Sequence, residues 1–443
     1  PPTVTYSGGG AHTMGTYTAT LVFDNDILSS TFNYRRMSKP LGAATVGLVY
    51  DRGCTVGLVP GASTSSHMSA LAFTYDAQTI ELTFQNQNQK LWIKVDGEYV
   101  SLTPTSLLND GVRGIIYIDF GSAKMREIEV ILCGVGQIMR FGGAYIEPTA
   151  SIAPVAPRGP KVFVIGDSFG EGTGCTSPIN MYPAVLADTL GWDDVVISAT
   201  GGAGLLATSG GTKLTYRGRL AADVLAFSPD IIIIQGSIND GGGAYTGAQL
   251  QAELALVIAD IRAALPYCKI IVTSLMASSG TGFMNPSFYL AADGIKAACD
   301  AAGVSFINLL EQDLPPQATI SGTITRVAAA NATRVYTNIK MGKNTTLKFT
   351  DGTHFRVTLG TASGAGDFIC DGDRTINARA IGDAFTVVGN SYWSGNGKVG
   401  TPGSNTGNCD RVVSSDGSHP YDDGHIMIGT ALAYGVAKAL GTI

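Results

Sequence analysis

With 443 residues the chain is too long for one ordinary hydrophobic core, so two or three domains are expected. Charged residues make up 14% of the sequence and glycine occurs 57 times, a low-charge, Gly-rich composition that is common among secreted and polysaccharide-handling proteins. A net charge of −6 and the lack of any basic run argue against a nucleic-acid partner. No apolar stretch approaches the roughly 18 residues that a membrane span needs.

Residues 1–147 have the pattern of an all-β domain. Short runs rich in β-branched and aromatic residues are separated by turn signals such as Asp96-Gly97. In one run, Ile80, Leu82 and Phe84 alternate with polar residues, which predicts a strand with one buried and one exposed face. Many short strands at this spacing predict a β-sandwich or jelly roll, for which carbohydrate binding and simple packing are both open roles.

A proline-rich stretch follows the β domain. The segment Glu147–Pro160 contains four prolines and no periodic pattern. This composition is typical of a stiff, extended linker, so we place a domain boundary over residues 148–160.

After the linker, strand patterns alternate with helix patterns. Runs such as Asp230–Gln235 are almost continuously apolar, as expected for strands buried on both faces, and amphipathic segments such as Ala248–Leu265 lie between them. The alternation predicts an α/β fold with a three-layer, doubly wound parallel sheet of the flavodoxin type over residues 161–310 and 414–443. Residues 311–413 return to β composition, and because they are too many for a structureless loop they predict an inserted β subdomain.

The seven cysteines leave one over in any complete pairing. Their clustering along the chain suggests three disulfides within regions and one free thiol, with small buried hydrophobic residues as the alternative role. The suggested pairs are Cys54–Cys133, Cys268–Cys299 and Cys370–Cys409, and the remaining thiol is Cys175.

The candidate nucleophile follows the first strand of the α/β domain. The apolar run Val162–Ile165 leads directly into Gly166-Asp167-Ser168. A serine at the end of a parallel strand faces the crevice at the carboxyl edge of the sheet, and its own N–H can point at an oxyanion. Taken alone the motif is weak, because Gly-Asp-Ser also occurs in ordinary turns.

Three more signals fall at the same edge of the predicted sheet. A Gly-rich turn after the second strand contains Gly202, Asn239 follows the third strand, and Asp416 and His419 precede the last helix. His419 can supply a neutral imidazole as the base, and Asp416 can fix its tautomer. The N–H groups of Ser168 and Gly202 and the side-chain amide of Asn239 would form an oxyanion hole.

Together these motifs resemble those of the SGNH, or GDSL-type, hydrolase superfamily, and the likeness covers residues 161–310 and 414–443. The resemblance implies Ser168 as the nucleophile, His419 as the base and Asp416 as its orienting acid, with oxyanion donors at Ser168, Gly202 and Asn239. The matching blocks are Gly166-Asp167-Ser168, Gly201-Gly202-Ala203-Gly204, Gly236-Ser237-Ile238-Asn239-Asp240 and Asp416-Gly417-Ser418-His419.

The chain departs from the family pattern in two blocks. The third block has an extra residue between Gly236 and Asn239, and the second lacks the Asn that often begins it. Gly204 therefore stays open as an alternative to Gly202. His425 is a nearby competitor for the role of base. The α/β-hydrolase nucleophile elbow is a further alternative, but here the serine lies on the first strand of its domain, and the acid and base are three residues apart.

Other chemistry-bearing residues give weaker signals. Asp367, Asp371 and Asp373 could supply oxygen ligands to Ca²⁺, but the other ligands of a recognised loop are missing, which favours a solvated turn. Trp393 and Tyr392 lie next to Gly-rich turns and are candidates for stacking on a sugar ring, with a place in the core as the alternative. We expect no metal and no organic cofactor.

The expected activity is hydrolysis of a small acyl ester, with O-acetyl groups on a polysaccharide as the substrate. A β-sandwich beside an SGNH-like domain is similar to the arrangement in carbohydrate esterases, and bacterial secreted enzymes and phage tail deacetylases both fit it. We therefore expect an extracellular or virion-associated protein, although its first residues carry no signal-peptide pattern. A lipid or thioester hydrolase and a non-catalytic carbohydrate-binding or structural module are the alternatives.

Overall fold

The fold is that of a computed structural model of the chain. The structure describes residues 2–7, 20–22, 33–35, 40–44, 47–50, 66–85, 90–108, 113–135, 140–241, 244–276, 286–309, 321–339, 346–362, 367–388 and 419–443. The chain divides into two compact units. The first comprises Pro1–Val164, Gly191–Thr200 and Ala226–Pro229, and the second comprises the remaining residues.

The N-terminal part consists of β-strands that form two antiparallel sheets. One sheet has the order β1-β11-β7-β13-β5-β4 with β2 beside β13, and the other has the order β10-β8-β12-β6-β14 with β3 beside β6 and β9 beside β8. The strands β1 to β14 are Thr3–Ser7, Thr20–Val22, Asn33–Arg35, Pro40–Ala44, Gly47–Tyr50, Ser66–Tyr75, Thr79–Gln85, Lys90–Val95, Glu98–Tyr99, Thr105–Ser106, Arg113–Asp119, Arg126–Val135, Arg140–Ile146 and Ile152–Pro154.

Both sheets contribute to one hydrophobic cluster. Phe73 of β6 and Val130 of β12 belong to it from one sheet, and Leu82 of β7 and Ile116 of β11 from the other. Each of these side chains is fully buried. Removal of such apolar surface from water is the main stabilising contribution available to an all-β region.

Strand β7 differs from the expected half-buried pattern. Ile80, Leu82 and Phe84 are buried as predicted, but Glu81 and Thr83 on the opposite face are fully buried as well. The strand lies between β11 and β13, and the Thr83 hydroxyl donates to the Gly143 carbonyl at 3.2 Å. The prediction of an exposed face was wrong, because alternating polarity cannot distinguish a solvated face from a buried polar one.

The proline-rich segment is extended, as its composition predicts, but it is not a free linker because part of it pairs with a strand of the β domain. Strand β14 (Ile152–Pro154) pairs antiparallel with Tyr75–Phe73 of β6. Further along, the Arg158 guanidinium forms an ion pair with Asp193 at 3.0 Å. A proline is tolerated here because β14 is an edge strand, where a missing N–H donor costs little.

The α/β part contains a five-stranded sheet in the order β16-β15-β17-β18-β19. Strands β17 and β18, and β18 and β19, pair in parallel. The sheet agrees with the predicted parallel α/β architecture, and every residue of β15 and β17 is buried, which explains their continuous apolar runs. The strands β15 to β19 are Val162–Gly166, Val195–Ala199, Ile231–Gly236, Lys269–Leu275 and Ser305–Ile307.

Five α-helices lie in this part of the described chain, and local sequence signals mark their ends. Thr246 and Gln249 form a reciprocal capping box at the start of α3, and Pro286 is the first residue of α4. Gly441, with φ of 71°, ends α5 in the left-handed conformation that glycine favours. The helices α1 to α5 are Tyr182–Leu190, Tyr216–Arg219, Gly247–Ala264, Pro286–Ala302 and Asp422–Leu440.

The expected insertion contains a six-stranded antiparallel sheet in the order β20-β25-β22-β23-β24-β21. Its core is a separate apolar cluster that includes Val335, Leu347 and Phe355. The strands β20 to β25 are Ser321–Thr323, Ala332–Thr337, Thr346–Phe349, His354–Ala362, Phe368–Ile376 and Ala384–Val388.

Two of the aspartates interpreted as a solvated turn are held in ion pairs instead. The Asp367 carboxylate pairs with Arg326 at 2.8 Å, and Asp371, within β24, pairs with Arg334. The side chain of Asp373 lies outside the described residues. The turn interpretation was wrong because each carboxylate meets an arginine that is distant in sequence.

The suggested disulfides are not formed where the structure describes the residues. Cys268, Cys299 and Cys370 are free thiols, which excludes two of the three suggested pairs. Cys175 is a thiol, as expected, whereas Cys54 lies outside the described residues. Among the helices of the described chain, none is long and apolar enough to cross a membrane.

Candidate active site

The Gly-Asp-Ser motif forms a tight turn at the end of β15. Ser168 is 8% exposed, and its carbonyl accepts a hydrogen bond from the Thr173 N–H at 3.0 Å. The Asp167 carbonyl likewise accepts from the Glu171 N–H at 3.0 Å. The turn therefore presents one serine at the carboxyl edge of the sheet while its backbone is held by local hydrogen bonds.

His419 meets this serine from the far end of the chain. Its Nε2 atom lies 2.8 Å from the Ser168 Oγ, and its ring lies 5.6 Å from the ring of Phe169. A hydroxyl within hydrogen-bond distance of an imidazole nitrogen is the arrangement that a base-activated nucleophile needs. Asp416, the predicted orienting acid, lies outside the described residues, so its role stays a prediction.

His425, the competing candidate for the base, occupies a different environment. It is fully buried, with Nδ1 accepting from the Tyr182 N–H at 3.4 Å and Nε2 facing the Thr173 carbonyl at 3.3 Å. Burial lowers the pKa of His425 to about 4, against the opposing effect of the Thr173 carbonyl. With both ring nitrogens bonded to backbone groups, His425 holds the nucleophile loop and is not placed to accept a proton from Ser168.

Asp167, the middle residue of the motif, is buried under the turn. Its carboxylate accepts from the Phe169 N–H at 3.0 Å and from the Ile238 N–H at 3.0 Å. Two side chains also donate to it, Gln235 through Nε2 at 2.6 Å and Ser237 through Oγ at 2.8 Å. Burial raises the pKa of Asp167, and these four hydrogen bonds oppose that rise. Asp167 thus joins the nucleophile turn to the loop that carries Asn239.

Gln235 explains why the motif begins with glycine. A Cβ on Gly166 would lie 2.3 Å from the Gln235 Oε1 atom, which is far closer than van der Waals contact. That oxygen accepts from the Tyr182 hydroxyl at 2.7 Å, so the amide is fixed from both sides. The glycine is required by the space that Gln235 occupies.

The Gly-rich second block is held by Asp240 of the third block. The Asp240 carboxylate accepts from the N–H groups of three consecutive residues, 205–207, at distances of 2.7, 3.1 and 2.9 Å. A Cβ on Gly204 would lie 2.5 Å from this carboxylate. Burial raises the pKa of Asp240 to about 6, against the opposing effect of these amides.

The two candidate glycine donors differ in their hydrogen bonding. The Gly204 N–H donates to the Ala207 carbonyl at 3.0 Å, so it is already engaged within its own loop. Gly202 has φ of 79°, a conformation that favours glycine, and a Cβ there would lie 2.9 Å from the Ser209 Cβ. This geometry favours Gly202 over Gly204 as the donor.

Asn239 lies in a short 3₁₀ turn, Ile238–Asp240, that directly follows β17. Its Nδ2 atom lies 3.0 Å from the Ala203 carbonyl oxygen and 3.2 Å from the Ser237 Oγ. Those two oxygens are themselves only 2.8 Å apart, so they lie on the same side of the amide nitrogen. Since the two amide hydrogens point about 120° apart, one of them serves this pair and the other is directed elsewhere.

The last helix is tied to the nucleophile loop by Asp422, a residue that no sequence motif singled out. Its carboxylate accepts from the Ser177 N–H at 2.9 Å, the Cys175 thiol at 3.0 Å and the Asn180 amide at 3.3 Å, and it also pairs with the Thr176 hydroxyl. Although burial acts to raise it, the pKa of Asp422 is lowered by these hydrogen bonds. An acidic residue in the first turn of a helix was the one available signal.

The two aromatic residues predicted to stack on a sugar, Trp393 and Tyr392, lie outside the described residues. Over the part of the chain that the structure describes, no group of three or more His, Cys, Asp or Glu side chains could hold a metal ion.

Comparison with protein families finds a family model that matches part of this site. Residues 164–331 match the model of the "GDSL-like Lipase/Acylhydrolase family". The match confirms the resemblance to GDSL-type hydrolases that the sequence blocks indicated, and it includes the blocks of Ser168, Gly202 and Asn239. Comparison with curated proteins finds no match.

Several solved structures resemble the chain at low identity. A family two carbohydrate esterase from Clostridium thermocellum, in complex with cellohexaose, is 16% identical with a TM-score of 0.46, covering 64% of this chain and 89% of that one. The salicylyl-acyltransferase SsfX3 from a tetracycline biosynthetic pathway is 16% identical with a TM-score of 0.49, covering 68% and 90%. An acetyl xylan esterase from Butyrivibrio proteoclasticus is 14% identical with a TM-score of 0.45, covering 66% and 89%.

Proposed function

Because residues 164–331 carry a GDSL-type hydrolase domain, we propose that this chain is a serine esterase that hydrolyses small acyl esters through an acyl-serine intermediate. The observation that carries the proposal is the 2.8 Å distance between the Ser168 Oγ and the His419 Nε2. It supports a hydroxyl and a base that act as a pair, at the point where the family blocks converge.

In the first half of the reaction, His419 takes the hydroxyl proton of Ser168 while Oγ attacks the ester carbonyl carbon. The tetrahedral intermediate collapses as His419 returns the proton to the leaving alcohol, which leaves the acyl group on Ser168. In the second half, His419 takes a proton from water as the water oxygen attacks the acyl carbonyl carbon. The tetrahedral intermediate collapses when His419 returns the proton to the Ser168 Oγ, which breaks the acyl–Oγ bond and releases the carboxylic acid. Asp416 would hold the imidazole in the tautomer that both halves need.

Three donors would stabilise the oxyanion: the N–H of Ser168, the N–H of Gly202 and the second amide hydrogen of Asn239. Gly202 is favoured over Gly204 because the Gly204 N–H is bonded to Ala207. For Asn239, the support is that one hydrogen serves the Ala203 carbonyl and Ser237 together, which leaves the other for an oxyanion.

We further propose that the acyl group is acetyl and that it is carried on a polysaccharide. The support is the Gly-rich, low-charge composition and a two-sheet β region that precedes the hydrolase domain, which we propose to be a sandwich that binds or positions the glycan. The inserted β subdomain enters the chain just before Asp416 and would shape access to Ser168, with Trp393 and Tyr392 as candidate sugar contacts. An extracellular or virion-associated location goes with such a substrate.

The test is acetate release from a panel of acetylated glycans by the wild type, Ser168→Ala and the control Ser101→Ala. Ser101→Ala removes a hydroxyl from an exposed turn of the N-terminal region. We expect the wild type and Ser101→Ala to release acetate, and Ser168→Ala to be slower by at least about 10⁴-fold. Retained activity in Ser168→Ala would overturn the nucleophile assignment.

The acyl group is tested on p-nitrophenyl esters of increasing chain length. We expect acetate to be preferred, and a sharp preference for long chains would replace the deacetylase by a lipid or thioester hydrolase. No activity on any ester, together with glycan binding by the wild type and by Ser168→Ala, would instead identify a non-catalytic binding module.

A further inference from the structure

Ser237 is one of the two residues that lie between Gly236 and Asn239 in the third block, where the family pattern has one. Its side chain is fully buried. Four polar atoms surround its Oγ: the Asp167 Oδ2 at 2.8 Å, the Ala203 carbonyl oxygen at 2.8 Å, the Asn239 N at 3.1 Å and the Asn239 Nδ2 at 3.2 Å.

These partners belong to the three segments that carry the proposed oxyanion donors. Asp167 immediately precedes Ser168 in the nucleophile turn, and Ala203 immediately follows Gly202 in the Gly-rich turn. Asn239 is the third donor. One buried hydroxyl therefore lies within hydrogen-bond distance of all three segments.

The single hydrogen of the Ser237 hydroxyl limits which of these contacts can be hydrogen bonds that it donates. A serine hydroxyl has one hydrogen to donate and two lone pairs to accept with. The Ala203 carbonyl can be served by the Asn239 amide at 3.0 Å, so the single Ser237 hydrogen is available to the Asp167 carboxylate, where a charge-assisted bond is strongest. Ser237 Oγ then accepts from the Asn239 N–H.

This assignment has a consequence for the direction of the Asn239 amide. Ser237 Oγ and the Ala203 oxygen together occupy one side of Nδ2, so the amide plane is fixed and the second hydrogen points away from both. Without the hydroxyl, the amide has one fewer anchor and the Asn239 N–H loses its acceptor.

We propose that Ser237 is a positioning residue that aligns the three oxyanion donors and above all fixes the side-chain amide of Asn239. The inference rests on the proposed esterase function. Ser237 touches no reacting atom, so its effect reaches the substrate only through Asn239 and the backbone of the two turns.

The proposal predicts a selective loss of kcat. Ser237→Ala removes the hydroxyl, and Ser237→Cys replaces it with a group of similar size that is a weak donor and acceptor. With p-nitrophenyl acetate we expect kcat to fall about 10- to 100-fold in both variants, with KM within twofold of the wild type. The reason is that a donor displaced by a fraction of an ångström stabilises the transition state less and leaves substrate binding unchanged. Thr83→Val, which removes a buried hydroxyl from β7, should leave both constants unchanged.

A double-mutant cycle separates positioning from a general structural effect. If Ser237 acts above all through Asn239, adding Ser237→Ala to Asn239→Ala should lower kcat by much less than Ser237→Ala lowers it in the wild type. The proposal would be overturned if the fold-losses in kcat of the two single variants multiplied in the double variant. It would also be overturned if the kcat of Ser237→Ala lay within twofold of the wild type. Where Ser237→Ala does not fold, as judged by circular dichroism, Ser237→Cys takes its place in the cycle.

Wild type and Ser168→Ala in the same assay distinguish the two possible failures. An active wild type and an inactive Ser168→Ala with an unaffected Ser237→Ala would leave the esterase function standing and remove the role of Ser237. An active Ser168→Ala would remove the function on which that role rests.

Discussion

The edge of the sheet around Ser168 and the inserted β subdomain are built in different ways. Around Ser168, four polar side chains are completely buried and bonded to neighbouring loops: Asp167, Gln235, Ser237 and Asp240. The insertion instead has an apolar core, with Phe355 and Leu347 fully buried, and its charged groups form Arg–Asp pairs that remain partly exposed.

The difference shows what each region is organised to do. Burying carboxylates has a desolvation cost, which is visible in the raised pKa values of Asp167 and Asp240, and in return it fixes three loops against one another. An apolar core with surface ion pairs gives a stable sheet without that precision. Substitutions among the buried polar groups near Ser168 should therefore change the rate, whereas those in the core and the ion pairs of the insertion should change stability and leave the rate on a small ester unchanged.

The largest effect is expected for His419→Ala. Removing the base should lower kcat by about 10⁴-fold or more, since the serine hydroxyl is a weak nucleophile when no base takes its proton. The thermal midpoint should stay near that of the wild type, because the ring is at the edge of the fold. Steady-state kinetics and thermal denaturation measure the two, and a large fall in the midpoint would contradict the separation of rate from stability.

His425 tests whether a buried polar group near the site also controls stability. Its pKa is lowered to about 4, so the unfolded chain takes up a proton below about pH 6.5 that the folded chain does not. The stability of the wild type relative to His425→Gln should fall by about 3 kcal/mol as the pH drops from 7 to 4. Denaturant unfolding of both proteins across this range gives the difference, and a constant difference would contradict the buried, neutral imidazole.

Gly166→Ala tests whether the space between Gly166 and Gln235 is too small for a methyl group. The new methyl group meets the Gln235 amide, so we expect a loss of about 1–3 kcal/mol in stability and a fall in kcat of about 10- to 100-fold. Adding Gln235→Ala makes room for the methyl group. The double variant should therefore be no less stable than Gln235→Ala alone, and additive losses would show that the clash is not the cause.

The smallest effect is expected in the insertion. Arg334 and Asp371 form an ion pair whose side chains are 52% and 27% exposed. Arg334→Gln should leave the stability to denaturant nearly unchanged and leave kcat unchanged, because solvent screens an exposed ion pair. Arg379→Gln is the matched comparison, because that guanidinium is nearly buried over Phe349 and pairs with Asp351, so its loss should cost more. Equal costs would remove the distinction between exposed and buried pairs.

Much of the α/β region was predictable from sequence because its elements follow simple periodicities. Strand β17 (Ile231–Gly236) lies within one residue of the predicted run Asp230–Gln235, and helix α3 (Gly247–Ala264) lies within one residue of the predicted segment Ala248–Leu265. The blocks at strand ends predicted Ser168 and His419 as partners because parallel strands bring their carboxyl ends to one edge. The structure places these two side chains in contact.

What could not be predicted depends on side chains that meet from distant parts of the sequence. Gln235 ends a strand of apolar residues, and nothing in that pattern reveals that its amide reaches over Gly166 to Asp167. The buried Glu81 and Thr83 look like a solvated face for the same reason. The longer third block looked like a departure from the family pattern, whereas the hydroxyl of Ser237 within it lies among the proposed donors.

The hydrogen bonds made by Asp422 also determine when the candidate site can assemble during synthesis of the chain. Thr176 and Asp422 are 246 residues apart, and His419 lies 251 residues after Ser168. A ribosome must therefore complete the whole insertion before the loop after Ser168 gains its carboxylate partner and Ser168 meets His419. Contacts of such long range form late in folding. A nascent chain, or any fragment that ends before His419, would contain the entire Gly-Asp-Ser turn without the imidazole and the carboxylate that meet it in the folded chain.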